Sequence, residues 1–549
     1  MNMKKNVLRI PVLSLLFLAP LFLTSYDDTK DFETAKNLDI FYSLFTNIEN
    51  SYVDEIAPGD LMSRTIDEML KSLDPYTNFI PESDVEKYTV MTKGEYGGIG
   101  ASVVQRDGFL MIMDIRKKSP AEKSGLLLGD IITEVDGHSI QNEDFENSMN
   151  LLQGEVGSVL KLGILRNKQH LNFSIERENI KISSVPYYGM VSQDVGYVKL
   201  NEFSQNCSVD VLKAVAQLKE KEGAKALILD LRDNPGGLLI EAVKIVNIFV
   251  PAGERVVYTR GNNKTENNKF STIAEAYDRE IPLVVLVNEH SASASEIVSG
   301  ALQDFDRAVI VGRQSFGKGL VQTRKELTHN CLLKITTAKY YIPSGRCIQK
   351  LDYTHRDKSG NPTITPDSLQ KTFYTKNHRP VKNAGGIVPD VMVGEKPTSP
   401  LLQKLTTDFV LFDFINRNYS VKDTATIKPQ TYSYSQVDFT KFMSFIKEQS
   451  YTYHSESEQF LDSLVCHTKK EQLHLDAQIQ ELRSQIAVQN AKLYDDNKEL
   501  IQKELASYII RTLYAEAGQT EYLIRDDEFI TEGLKYLADK DLYKKILKP

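Results

Sequence analysis

The stretch "IPLVVLVNEHSASASEIVSGAL" (Ile281–Leu302) carries three signals in a row. "IPLVVLVN" is an uninterrupted apolar run, short enough for a buried strand. "HSASAS" then sets Ser291, Ser293 and Ser295 on alternate positions. "EIVSGAL" reads as the start of a helix, and Ser293 stands three residues before Glu296, which is a capping-box spacing. A strand that ends in a loop and then a helix is the unit of an α/β sheet, and sites collect at the carboxyl ends of such strands. A serine here sits in the positive end of the helix dipole, which favours developing negative charge. Local sequence leaves two roles open for the three serines: capping and packing, or nucleophile.

The neighbouring segments repeat the pattern. "VGYVKLNEF" (Val195–Phe203), "KALILDLRDNPGG" (Lys225–Gly237) and "RAVIVG" (Arg307–Gly312) read as strands. "SVDVLKAVAQLKEKEGA" and "LLIEAVKIVNIFV" between them read as helices. Near-continuous apolar strands alternating with helices imply a sheet covered on both faces. A nucleophilic serine needs a base. His290 adjoins the cluster, but no Asp-His-Ser arrangement can be assembled from the sequence. "GRQSFGKGLVQ" (Gly312–Gln322) offers Lys318 between two glycines. A lysine can take a proton only when neutral, and burial lowers its pKa. Gln322 lies four residues on, and an extended backbone puts it on the same face as Lys318. On local evidence alone a surface lysine in a glycine turn is the favoured reading of the motif.

Outward from this core the character changes. Residues 94–180 are glycine-rich and then β-like. "SPAEKSG" reads as a short helix, "GDIITEVDG" as a strand ending in a turn, and "NSMNLLQGEVGSVLKLGILRN" as a helix followed by a strand. Residues 30–92 show apolar residues at helical spacing until Pro75 and Pro81 break the pattern. In residues 400–549 Gly and Pro almost disappear. A heptad-like stripe runs through Ile479, Leu482, Ile486 and Leu493, as in a helical hairpin or bundle.

The 549 residues carry 66 Lys+Arg against 74 Asp+Glu, a net charge of −8, with no long basic run. Nucleic acid is therefore not an expected partner, because phosphate binding needs a basic patch. Lys4, Lys5 and Arg9 precede the apolar stretch Ile10–Thr24, as in a secretory signal or N-terminal anchor over residues 1–25. Export is expected, to a periplasm or cell envelope, with attachment to the inner membrane if the segment is retained. Cys207, Cys331, Cys347 and Cys466 have no C-x-x-C spacing, and no metal site is expected.

Two resemblances sharpen these readings. "GGIGASV" (Gly97–Val103) and "SPAEKSGLLLGDIITEVDG" (Ser119–Gly137) resemble a PDZ domain. That resemblance implies a loop at Gly97, Gly98, Ile99 and Gly100 whose N–H groups receive a peptide's C-terminal carboxylate, with the peptide adding as a strand. "LILDLRDNPGGLL", the serine cluster, "GRQSFGKGLVQ", "LDPYTNFI" and "GGIVPDV" (Gly385–Val391) together resemble the C-terminal processing peptidases, or tail-specific proteases. The resemblance runs over about residues 35–395. It implies a multidomain α+β chain: an N-terminal helical region (30–92), an inserted PDZ domain (94–180), a mixed α/β protease core of ClpP/crotonase type (185–395) and a helical C-terminal domain (400–549). It also implies Ser293 as nucleophile, Lys318 as base and Gln322 as its orienting partner. Ala294 and Gly236 or Gly237 are the implied oxyanion donors. Asp304 and Glu296 read as structural, and Arg232 and Asp233 as holding their loop. The expected enzyme is a serine endopeptidase without cofactor, acting on proteins with apolar C-terminal tails, with an adaptor protein and self-association through the C-terminal helices as further candidates. The rival is a catalytically silent PDZ scaffold that binds tails without cutting them. Residues 400–549 are assigned to no family from the sequence, although larger tail-specific proteases carry long helical C-terminal extensions.

Overall fold

The computed structural model describes residues 28–85, 94–394 and 399–548. The secretory-type segment 1–25 lies outside the described residues. Among the described residues no helix is long and apolar enough to cross a membrane. The chain divides into two units, residues 1–79 and 80–549. The first contains the helices Asp28–Ser51 and Pro58–Lys71. Pro75 ends the helical pattern as its ring requires, and Asp74 Oδ1 accepts from the N–H groups of Tyr76 and Thr77 in the turn that follows.

The centre of the second unit is a six-stranded sheet in the order Tyr187–Met190, Val195–Lys199, Ala226–Asp230, Leu283–Val287, Val309–Gly312, Val391–Met392. The first pair is antiparallel and every later pair parallel. Strand side chains alternate between faces. Leu227, Leu229, Leu283, Val285 and Val287 point to one face, beneath the helices Cys207–Ala216, Leu239–Phe249 and Ala294–Asp304. Ala226, Ile228, Val284, Leu286, Val309 and Val311 point to the other. Both faces are buried, as the continuous apolar runs require. The cover of the second face is unexpected. It comes from Ile524, Phe529, Ile530 and Leu547, in the last turns and helices of the chain.

Residues 94–181 form a smaller β unit, whose sheet runs Ala101–Arg106, Phe109–Ile115, Ile131–Val135, Val159–Arg166, Gln169–Glu176. Ser119 caps the short helix Pro120–Ser124, and Gly125 ends it in the left-handed region. Ala101–Arg106 is an edge strand of that sheet. Gly97 and Gly98 lie in a two-stranded ribbon with Glu178–Lys181, so the expected glycine loop is narrower than the sequence suggested. Ile99 is buried, and Gly100, at φ +74°, turns the chain into the edge strand.

The C-terminal region is helical. Pro400–Thr407, Val410–Asn418, Phe439–Glu448 and Lys498–Leu523 share one apolar cluster, and Glu456–Lys470 packs on Asp476–Asp496 as a hairpin. The heptad-like stripe lies on that hairpin, but Ile479 is buried while Leu482 is exposed. Arg106, at the end of the edge strand, forms a bidentate pair with Asp413 of this region at 2.7 and 2.8 Å.

Candidate active site

Three loops meet at the carboxyl ends of the central strands. The first follows Ala226–Asp230 and carries Arg232 to Gly237. The second follows Leu283–Val287 and carries the serines. The third follows Val309–Gly312 and carries Lys318.

The serines separate by environment. Ser291 is fully buried, donates to Leu231 O at 2.8 Å and accepts from Asn288 N–H at 2.9 Å. Ser295 is fully buried and donates to Asn234 O at 2.9 Å. Both hydroxyls tie the second loop to the first. Ser293 is only partly buried and is the N-cap of the helix Ala294–Asp304. Its backbone sits at φ 54°, ψ −110°, which an L residue adopts only under strain. Such strain costs about 1–3 kcal/mol and persists where surrounding contacts over-determine it. Here the Ser293 N–H donates to Glu296 Oε2 at 2.8 Å, and the Tyr340 hydroxyl donates to Ser293 O at 3.2 Å.

Glu296 also holds the third loop. Its Oε2 accepts from Lys318 N–H at 2.9 Å, and its Oε1 accepts from Gly317 N–H at 2.7 Å and the Ser315 hydroxyl at 2.5 Å. The residue is completely buried. Burial pushes its carboxyl above the ordinary glutamate value, and the four donors pull against that shift. One carboxylate thus fixes the backbones of Ser293 and Lys318 together. The capping box made the Ser293–Glu296 half of this legible. The half that reaches Ser315, Gly317 and Lys318 depends on tertiary structure and left no sequence signal. Glutamine at this position has one acceptor oxygen, so either amide orientation turns an NH2 group towards at least one backbone N–H donor. Glu296→Gln is expected to cost about 1–3 kcal/mol for each donor left unsatisfied, seen as a lower melting temperature together with lost activity.

Lys318 is half-buried between glycines that serve the backbone. Gly317 has φ +90°, and a Cβ there would fall 2.5 Å from the Lys350 Cβ. The Gly319 N–H donates to Gln349 Oε1 at 2.6 Å. Gln322 lies on the strand Leu320–Glu326, four residues from Lys318, and its Nε2 donates to Thr336 Oγ1 on the paired strand at 3.2 Å. A register shift at Val321/Gln322 interrupts the simple alternation assumed from sequence.

Gly236 packs directly on the serine loop. A Cβ on it would lie 2.8 Å from Ser293 Cβ and 3.0 Å from Ala294 N. Its own N–H donates to Asn234 Oδ1 at 2.9 Å. Gly237 runs beside Phe203, which bridges to it in parallel. At the root of this loop Arg232 grips Asp230 through Nε and Nη2, the latter at 2.7 Å. Burial alone would raise the Asp230 carboxyl, but Arg232 and Lys199 outweigh it and hold it well below the usual carboxylate range. Asp233 exchanges hydrogen bonds with Asn288, as its loop-holding role requires. Asp304 forms a buried pair with Arg346 at 2.8 Å, a structural contact. His290 is exposed. Among the described residues no cluster could hold a metal ion.

Parts of this chain match known protein families. Residues 194–367 match peptidase family S41, residues 97–176 match the PDZ domain, and residues 401–537 match the family described as PDZ-protease, C-terminal helical domain. The carboxy-terminal-processing protease of Bartonella bacilliformis is 37% identical over 326 residues, 58% of this chain and 74% of that one. A protein of Staphylococcus haemolyticus described as "Probable CtpA-like serine protease" is 36% identical over 305 residues, 55% of this chain and 61% of its own length. Among solved structures, a photosystem II D1 C-terminal processing protease aligns at 25% identity and TM-score 0.35, covering 64% of this chain and 92% of that one. A PDZ domain inserted ahead of an S41 core, at this identity over most of a relative's length, places the chain among the carboxy-terminal-processing serine proteases.

Proposed function

We propose that this protein cuts polypeptides presented by their C-terminal tails, with Ser293 as nucleophile and Lys318 as general base. The observation that carries the reading is the Glu296 carboxylate, which accepts from the N–H groups of both Ser293 and Lys318. Ser293 Oγ attacks the scissile carbonyl carbon while the neutral amine of Lys318 takes its proton. The carbonyl oxygen becomes an oxyanion at the helix N-terminus, where backbone N–H groups stabilise it. With the Gly236 N–H committed to Asn234, Gly237 and Ala294 are the donors we assign. The tetrahedral centre collapses to an acyl-enzyme, the protonated lysine returns a proton to the leaving amine, and water releases the acyl group. Gln322 is assigned to orient Lys318.

The tail is received by the PDZ unit, along the open edge strand Ala101–Arg106, with its carboxylate at the turn Gly98–Gly100. Export to the periplasm or envelope is proposed from the basic and apolar N-terminal segment, and exported proteins with apolar tails are the proposed substrates.

The test is cleavage of an unfolded protein ending in an apolar tail, followed by mass spectrometry. Fragments are expected with the free carboxylate and far fewer with the amidated tail. Lys318→Met keeps the length of the stem and removes the amine. It is expected to lower kcat by about 10²–10⁴-fold, the usual contribution of a positioned base. Equal cleavage by Lys318→Met and the parent would remove Lys318 from the mechanism.

A further inference from the structure

The C-terminal helices do more than cover the sheet. Asp527 is the N-cap of the helix Glu528–Ala538, and its Oδ1 accepts from Phe529 N–H at 2.8 Å and Ile530 N–H at 3.0 Å. Its other oxygen, Oδ2, accepts from Arg232 Nη1 at 2.8 Å. Two residues on, the Phe529 ring lies under two guanidinium groups, 4.7 Å from Arg232 and 5.4 Å from Arg313. Phe529 is itself buried.

Those two arginines have matching places. Arg232 stands at the root of the loop that ends in Gly236 and Gly237. Arg313 stands at the root of the loop that ends in Lys318, and its Nη1 also reaches Glu289 at 3.2 Å, just ahead of the serine cluster. A cation over an aromatic face is held by the ring quadrupole as well as by packing. One turn of one helix therefore touches the bases of the loops assigned to the oxyanion donors and to the lysine, while its neighbour Glu289 contact leads to the serines.

We infer that Asp527 and Phe529 are positioning residues for the reaction, setting the two loops against each other through Arg232 and Arg313. The inference rests on the assignment of Ser293 and Lys318 above. It gives the C-terminal segment a share in building the site from almost 300 positions along the chain from Arg232.

The full-length protein allows a direct test with a fluorophosphonate, a small phosphonylating probe that reacts with an activated serine and does not need the PDZ unit. Its rate of attachment to Ser293, read by intact mass, reports the geometry of the nucleophile. Asp527→Asn keeps the N-cap, since asparagine caps as well as aspartate, and removes the charge facing Arg232. Phe529→Leu keeps an apolar plug and removes the ring, while Phe529→Tyr keeps the ring. Asp527→Asn and Phe529→Leu are expected to slow attachment, and to lower kcat with KM unchanged, by roughly tenfold to a hundredfold, as small misplacements of reacting groups do. Phe529→Tyr is expected to react at the parent rate.

A purely structural role predicts that leucine and tyrosine behave alike and that any loss follows the melting temperature. Either result, or parent-like rates in both Asp527→Asn and Phe529→Leu, overturns the inference. A parent protein that is not labelled at Ser293 at all would instead overturn the assignment of the nucleophile.

Discussion

Ser293→Ala is expected to abolish turnover of a tail-bearing substrate, lowering kcat on the order of 10⁴- to 10⁶-fold, the range over which removal of a nucleophile acts in serine proteases. Alanine has the same backbone restrictions as serine, so the strained φ of 54° is neither relieved nor worsened. The contacts that hold the position use Ser293 N–H and O, which the substitution leaves in place. The variant should therefore lose no more stability than the about 0.5–2 kcal/mol of an N-cap serine and bind a tail peptide with the parent's affinity. Ser291→Ala gives the opposite profile. Its hydroxyl donates to Leu231 O and accepts from Asn288 N–H in a buried site. Stability should fall by about 1–3 kcal/mol for a buried partner left unsatisfied, with activity falling only as folding does. Fragment yields by mass spectrometry, set beside thermal melts of the two variants, separate these outcomes. Undiminished cleavage by Ser293→Ala would place the nucleophile elsewhere.

Ending the chain before Ile524 is expected to yield an insoluble or partly folded protein with no protease activity. Ile524, Phe529, Ile530 and Leu547 are buried against the second face of the central sheet. Full burial of such side chains contributes about 1.5–3 kcal/mol each, or about 6–12 kcal/mol for the four. That equals most of the 5–15 kcal/mol by which domains are typically stable. The loss also bares Ile228, Val284, Leu286, Val309 and Val311 as one apolar face, a known route to aggregation. The check is soluble yield and the cooperativity of unfolding, compared with a chain lacking only the hairpin Glu456–Asp496. That hairpin buries little beyond Leu461, Thr468, Ile479 and Tyr494. Its removal should leave the core folded. A soluble, cooperative protein truncated before Ile524 would contradict the energetic account.

The parallel sheet was legible because its strands, such as Leu283–Val287, are buried on both faces and so read as unbroken apolar runs. The serine loop and its helix were legible because capping is a local event with fixed spacing. What covers the second face was not. The helix Glu528–Ala538 is an ordinary amphipathic helix, and nothing in its pattern says that Phe529 meets a sheet some 240 residues earlier in the chain. Glu296 was half legible for the same reason: its contact to Ser293 spans three residues, while its contact to Lys318 spans 22. The Gly97–Gly100 segment read as a loop because glycine weakens strands in general, but Gly97 and Gly98 pair with Asn179 and Glu178 in a ribbon that no local rule foretells.

A protease whose central sheet is closed by its own last helices has a built-in order of assembly. The serine loop and the lysine loop lie some 200 residues ahead of residues 524–547 in the chain, and until those residues dock the second face of the sheet has no cover. Domains generally fold as units, N-terminal first, but this core cannot finish until residues 524–547 are in place. The loops that carry Ser293 and Lys318 therefore rest on a sheet that is not closed until residues 524–547 have docked.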